Sequence, residues 1–297
     1  MTELARKIDA FSKSLMTKIS GLSSIEQLLR SRQSCNEFPI NSISNIELGS
    51  VPAWHRLDLS KAIGWKYFWG GKESFRLDLS EPLVVTENHI HTVYLSSIYG
   101  LSASKSTLAN FKSTTELIKQ PKCDYLINDL SFQALHEALE WWEIRLLNRP
   151  NGGGDRLFYF AYFNKWFYVN SGGSHHFCAA KYIAEMIETD VPITCNVVIH
   201  RINERTVNHL KSRYRAVLLQ LTEQDSYGLK SLLIDKRIEF ISHSINQTGW
   251  IHNWQIYFFP IASKKSNLVY ELFIKHKSID FFEMMQKLIN NQFLDIN

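Results

Sequence analysis

Residues 172–176 read Gly-Gly-Ser-His-His, where the apolar run Phe167 to Val169 gives way to the small-residue stretch Phe177 to Ala180. A strand that ends in glycines and turns into a helix presents unpaired backbone N–H groups toward one point. The helix N-terminus adds about half a positive charge there. Gly172 and Gly173 let an anion approach the backbone closely, and Ser174 offers a cap or a hydroxyl donor. His175 and His176 bring charge and donors when protonated, and acid–base capacity when neutral. The chemistry this pattern suits is holding a phosphate or another small oxyanion. The plain alternative is a tight turn, an N-cap and two surface histidines.

Other residues could join such a site. Lys181 lies further along the same stretch, within reach of a phosphate from the next turns of the helix. The preceding segment "SFQALHEALEWWEIRLLNRP" carries His136, Glu137, Glu140 and Glu143. Glu137 and Glu140 are candidates for a base or a Mg²⁺ ligand, since metal-assisted phosphoryl chemistry needs oxygen ligands and a proton acceptor. A solvated helix face is the commoner explanation for such residues. "NGGGDR" precedes a strand and fits neither a P-loop nor a dinucleotide fingerprint, and no HExxH is present, so no metal site is assigned. His89 and His91 share a strand face without an obvious third ligand. Residues 196–215 hold Arg201, Arg205, Lys211, Arg213 and Arg215 against Glu204 alone, a local +4 that equals the net charge of the whole chain. That segment could meet nucleic-acid backbone or a polyphosphate tail. The cluster Trp65, Tyr67, Phe68 and Trp69 is packing material or a base-stacking patch.

The elements that must position these residues read as α+β. Leu135, Leu139, Trp142 and Leu146 predict one helix from a Ser131 cap to the stop at Pro150. "RLFYFAYF" and "WFYVNSG" predict two strands joined at Asn164-Lys165, where Asn takes the positive φ of a tight turn. A helix from Ser174 and a strand over "VPITCNVVIH" follow. Thr86-Glu87-Asn88 reads as a turn between two strands, and Ser24 as the cap of a helix over "SIEQLLRSR". Val207, Leu210, Tyr214 and Val217 suggest one helical face, "KRIEFISHSI" and "WIHNWQIYFFPI" suggest strands, and Ser278 is the expected cap of a final amphipathic helix.

In order and motif, residues 130–200 resemble the nucleotide-binding core of the ParB/sulfiredoxin-like superfamily. ParB-type proteins carry Gly-Glu-Arg-Arg-x-x-Ala-Ala-Arg, then a helix and a Val-Pro strand. Here the frame holds Gly173, Ser174, His175, His176, two residues, Ala179, Ala180 and Lys181, then Val191-Pro192. The sulfiredoxin version, Gly-Gly-Cys-His-Arg, lines up with Gly172 to His176. The resemblance implies a small mixed sheet with flanking helices and nucleotide phosphates at the glycine turn. Ser174 stands where sulfiredoxins place the reactive cysteine, which argues against sulfinic-acid reduction. His176 stands at the arginine position, so the phosphate grip is expected to tighten as pH falls.

The chain of 297 residues is ordinary in composition, 45% hydrophobic and 21% charged, and mildly basic. Its four cysteines form no CxxC pair and no secretory leader is evident, which fits reduced thiols in the cytoplasm. The first nineteen residues place Leu4, Ile8, Phe11, Leu15 and Ile19 on one helical face. No apolar run reaches the 18 or so residues of a membrane span. The expected organisation is an N-terminal α+β region (1–129), the ParB/sulfiredoxin-like core (130–200) and a C-terminal α+β region (201–297). The function expected is binding of a nucleoside di- or triphosphate, ATP or CTP, with Mg²⁺ as companion. Hydrolysis, or transfer of a phosphoryl or nucleotidyl group, would be the reaction. The alternative is a module that binds nucleic acid or protein and keeps a vestigial nucleotide site. Oligomeric state is not legible.

Overall fold

The computed structural model describes residues 22–30, 54, 57–68, 71–148, 154–245 and 254–292. Its strands form two sheets. The first is mixed, in the order β3-β7-β5-β6-β4, built from β3 (Val84–Tyr94), β4 (Ile98–Leu101), β5 (Arg156–Phe160), β6 (Lys165–Val169) and β7 (Pro192–Ile202). Within it β4–β6 and β5–β7 run parallel, the other neighbours antiparallel. The second is antiparallel throughout, in the order β11-β8-β10-β9-β1-β2. Its strands are β1 (Ile63–Phe68), β2 (Gly71–Arg76), β8 (Tyr214–Gln220), β9 (Phe240–Ile245), β10 (Trp254–Pro260) and β11 (Ile279–Asp280).

Side chains on successive strand positions point to opposite faces, so each buried strand feeds two cores. Phe160, Phe167, Ala216, Leu218, Ile256 and Phe258 share a central core with the helix Phe281–Asn291, which therefore lies against both sheets. Leu157, Tyr159, Trp166, Tyr168, Val197 and Ile199 point the other way. They pack under the helices Thr114–Ile118, Phe132–Leu139 and Ser174–Met186. On the far side Val217, Leu219, Tyr257 and Phe259 meet the helices Leu22–Arg30, Glu223–Asp235 and Lys264–Lys275. The molecule is thus a layered α+β structure. Strands β1 and β2 join the C-terminal sheet, whereas β3 and β4 join the sheet that carries residues 156–202.

Several local readings change. Thr86-Glu87-Asn88 is no turn: β3 runs unbroken and pairs with β7 from Val84↔Ile202 to Tyr94↔Pro192. An edge strand with solvent on its flanks tolerates polar residues that a buried strand would not. The helix expected from Ser131 to Pro150 breaks. Ser131 caps it as expected, accepting from the Ala134 N–H, but it ends at Leu139 and resumes only as the turn Arg145–Asn148. Trp142 leaves the predicted stripe and stands exposed. The helix Glu204–Arg213 stops before Tyr214, and Val217 belongs to β8, whose both faces are buried. Asp280 caps the last helix in place of Ser278, and Ser24 lies inside its helix. Asn164 does adopt the left-handed conformation, φ 52°. The expected N-terminal helix, Trp69, Pro150 and Cys35 lie outside the described residues.

Candidate functional site: the glycine–histidine turn and its cavity

Strand β6 delivers Asn170 to the bend, and Gly173 makes the turn. Its φ of 67° is left-handed, and a Cβ there would come within 2.9 Å of the Glu143 backbone, so only glycine fits without strain. Gly173 is the N-cap of the Ser174–Met186 helix and brings no side-chain cap. Ser174, His175 and His176 form the first turn of this helix, whose N–H groups have no acceptor within the helix. The neighbouring Gly173 N–H favours the charged form of Glu143.

In front of the turn lies a cavity of about 690 Å³. Two segments complete it, both remote in sequence. The first is the loop 102–106. Buried Asn170 clamps it: its Oδ1 accepts from the Ala103 N–H at 3.1 Å, and its Nδ2 donates to the carbonyls of Ala103 and Gly172, each at 2.9 Å. Ser174 Oγ donates to Ser104 Oγ at 3.0 Å, which ties the helix start to the same loop. The second is the stretch 121–126, which contributes Lys122, Cys123 and Tyr125. Lys105 and Lys122 both line the cavity. Lys122 Nζ donates to Ser106 Oγ at 2.9 Å, and that hydroxyl also meets His175 Nε2 at 3.0 Å.

The break in the predicted helix supplies the remaining wall. Trp141 stacks on His176, ring centroids 3.9 Å apart. Its indole N–H donates to Glu143 Oε2 at 3.2 Å. Glu143 is held below the usual carboxylate range, first by that indole, with further help from the Gly173 N–H, Lys105 and His176 against its burial. Burial, then Lys122 and Lys105, push His175 below the ordinary imidazole range. Burial also lowers His176, with Glu143 pulling partly the other way. The imidazoles are therefore mostly neutral near pH 7, and the lysines carry the positive charge.

Gly172, Gly173, Ser174, His175 and His176 are thus brought together as the sequence suggested. Glu137 and Glu140 are not: Glu140 pairs with His136 at 3.2 Å and Glu137 accepts from Gln133 at 2.8 Å, both on the exposed helix face. The carboxylate at the turn is Glu143. Lys181 points away, its ammonium donating to the Ile98 carbonyl. Asp155 stands beside the turn, accepting from Ser171 Oγ at 2.6 Å and Tyr168 at 2.6 Å. Cys178 is fully buried, and Cys195 is buried against the first sheet. Of the basic segment, Arg201 lies in β7 and donates to the Gln292 carbonyl. Arg213 pairs with Asp78 at 2.6 Å, and Arg215 lies over Tyr270. Arg205 and Lys211 stand exposed on the helix between, and Arg213 and Arg215 are exposed as well. His91 stacks on Trp166 and His89 bonds Glu87. Lys105, Lys122 and Tyr125 were missed because nothing in "SASKS" or "PKCDY" distinguishes them from ordinary loop residues.

The model of a family of unknown function (DUF6685) matches residues 88–297. The chain belongs to that family. Every cavity residue named above falls within the matched span. No curated protein and no solved structure matches the chain. Among the described residues no helix is long and apolar enough to cross a membrane, and no group of three His, Cys, Asp or Glu is placed to hold a metal ion.

Proposed function

We propose that the protein binds a nucleotide, or a related phosphorylated ligand, in the cavity at the start of the Ser174–Met186 helix. The observation that carries this reading is the cavity itself: it is lined by the first turn of a helix, whose amides have no helical acceptor, with two lysines beside it. The likeness to the ParB/sulfiredoxin-like turn supports the same ligand class. Phosphates would sit on the Ser174 to His176 amides between Lys105 and Lys122. Tyr125, exposed on the cavity wall, offers a face for a base. Magnesium would enter as the counter-ion of the phosphates, with few protein oxygens around it.

Reaction of the bound phosphate is the second part of the proposal. His175 is neutral, oriented by Ser106, and lines the cavity, the state required of a proton acceptor. Glu143 is the other base within the cavity wall, and takes the role that Glu137 and Glu140 cannot reach. Hydrolysis or transfer would thus rest on positioning by amides and lysines, with proton traffic through His175. The test is a thermal-shift screen of ATP, CTP, ADP and pyrophosphate, with and without Mg²⁺. The expected result is stabilisation by at least one of them that disappears in a Lys105→Ala/Lys122→Ala variant. No shift with any, or a shift the double variant keeps, would remove the site.

A further inference from the structure

The glycine turn already holds an anion. Glu143 comes from the broken end of the Phe132–Leu139 helix, and its side chain packs against Gly172, where a Cβ would meet Glu143 atoms at 3.4 to 3.7 Å. The same carboxylate accepts the Trp141 indole N–H at 3.2 Å, and the nearby Gly173 N–H favours its charged form. It lies on the wall of the cavity, beside the amides that a phosphate would use and close to Lys105. A carboxylate there satisfies part of the turn in the absence of ligand, and its charge repels any second anion placed next to it.

We infer that Glu143 is the specificity-determining residue of this pocket: a built-in competitor that only a ligand bearing two or more negative charges displaces or outweighs. This rests on the phosphate-pocket reading above. A monoanion such as acetate gains too little from the lysines to overcome the carboxylate. A diphosphate or triphosphate reaches Lys105, Lys122 and the three open amides together. The swing of Glu143 away from Gly173 also releases the Trp141 indole, so ligand charge is coupled to the Trp141–His176 wall.

The experiment is calorimetric titration of the full chain with pyrophosphate and with acetate near neutral pH, first without metal and then with Mg²⁺. The wild type, Glu143→Gln, Glu143→Ala and Lys105→Ala/Lys122→Ala are compared, each checked for folding by circular dichroism. Gln keeps the shape and the acceptor oxygen but not the charge; Ala removes both. Both Glu143 variants are expected to bind pyrophosphate about five- to tenfold tighter than wild type and to gain measurable acetate binding. Equal or weaker pyrophosphate binding overturns the inference. Mg²⁺-dependent binding that the Glu143 variants lose also overturns it, because Glu143 would then be a metal ligand. Wild-type binding that the lysine variant loses, without any gain at Glu143, sinks this inference and leaves the pocket standing. Binding by none of the four proteins sinks both.

Discussion

The indole of Trp141 lies flat on the imidazole of His176, centroids 3.9 Å apart and planes 5° from parallel. One residue comes from a broken helix end, the other from the first turn of the helix that follows the glycine bend. Their contact is what turns two separate segments into one wall. Trp141→Ala should therefore cost about 2 kcal/mol of stability, from lost area and lost stacking. It should also loosen Glu143, which loses the indole donor. Trp141→Phe keeps the stack and should recover most of the stability. Chemical denaturation of the three proteins checks the order; an Ala variant as stable as the Phe variant would contradict it.

Gly173 is required by conformation and by space. Gly173→Ala should lower stability by about 2 kcal/mol, since φ is 67° and the new methyl meets the Glu143 backbone at 2.9 Å. Gly154 has a similar φ of 72° with nothing within 4 Å, so Gly154→Ala should cost less, about 1 kcal/mol. Thermal denaturation of the pair separates backbone strain from crowding.

Each lysine of the cavity should matter to an anion and little to the fold. Lys105→Ala and Lys122→Ala should each weaken pyrophosphate binding about tenfold, the worth of one charge-assisted contact. Raising salt should shrink the difference, because the cavity is open to solvent ions. Lys181→Met, by contrast, should leave pyrophosphate affinity within about twofold, because the ammonium is bonded to the Ile98 carbonyl and Lys181 is not among the residues that line the cavity. Calorimetry on these variants decides between the two placements.

The histidines set a pH dependence of stability. His175 and His176 both have folded pKa values below the unfolded one, burial being the main cause. Below about 6.5 the unfolded chain takes up protons that the folded protein resists. Stability should therefore be full above that pH and fall as pH drops toward the folded values. His243, also lowered by burial, adds to the same slope. A His175→Asn/His176→Asn variant should show a shallower loss between pH 7 and about 5 in thermal melts. A slope unchanged from wild type would mean these rings do not titrate as their burial requires.

An affinity test runs the other way. A bound phosphate raises the pKa of a nearby imidazole, so acid should strengthen anion binding even while it weakens the fold. Pyrophosphate affinity measured across the same pH range is expected to rise as pH falls, and to stay flat in the double histidine variant.

Local chemistry made part of this legible. Gly-Gly followed by Ser-His-His announced a helix start with open amides, because only glycine makes that bend and the amides of a first turn have no helical partner. Asn164 in the left-handed region, Ser131 as a cap and the two strands around it follow from the same short-range rules. Periodicity misled where packing outweighed it. The stripe Leu135, Leu139, Trp142 and Leu146 is a sound helical pattern, yet the helix ends at Leu139 and Trp141 stacks on His176 instead. Tyr214 and Val217 fit a helical face as well as a strand, and only burial on both sides of β8 decides for the strand.

The residue types at the turn, and the left-handed bend that Gly173 makes there, were determined by the sequence alone. Tertiary structure decided which charges face that turn. Ser106 and His175 stand 69 positions apart in the chain and 3.0 Å apart in space. Lys105 arrives with the loop that Asn170 clamps, and Lys122 with the separate stretch Pro121–Leu126. Glu143 reaches the glycines only because a helix stops early, while Glu137 and Glu140 remain on its solvent face. Contacts of that kind depend on how sheets and loops stack, and spacing along the chain carries no record of them.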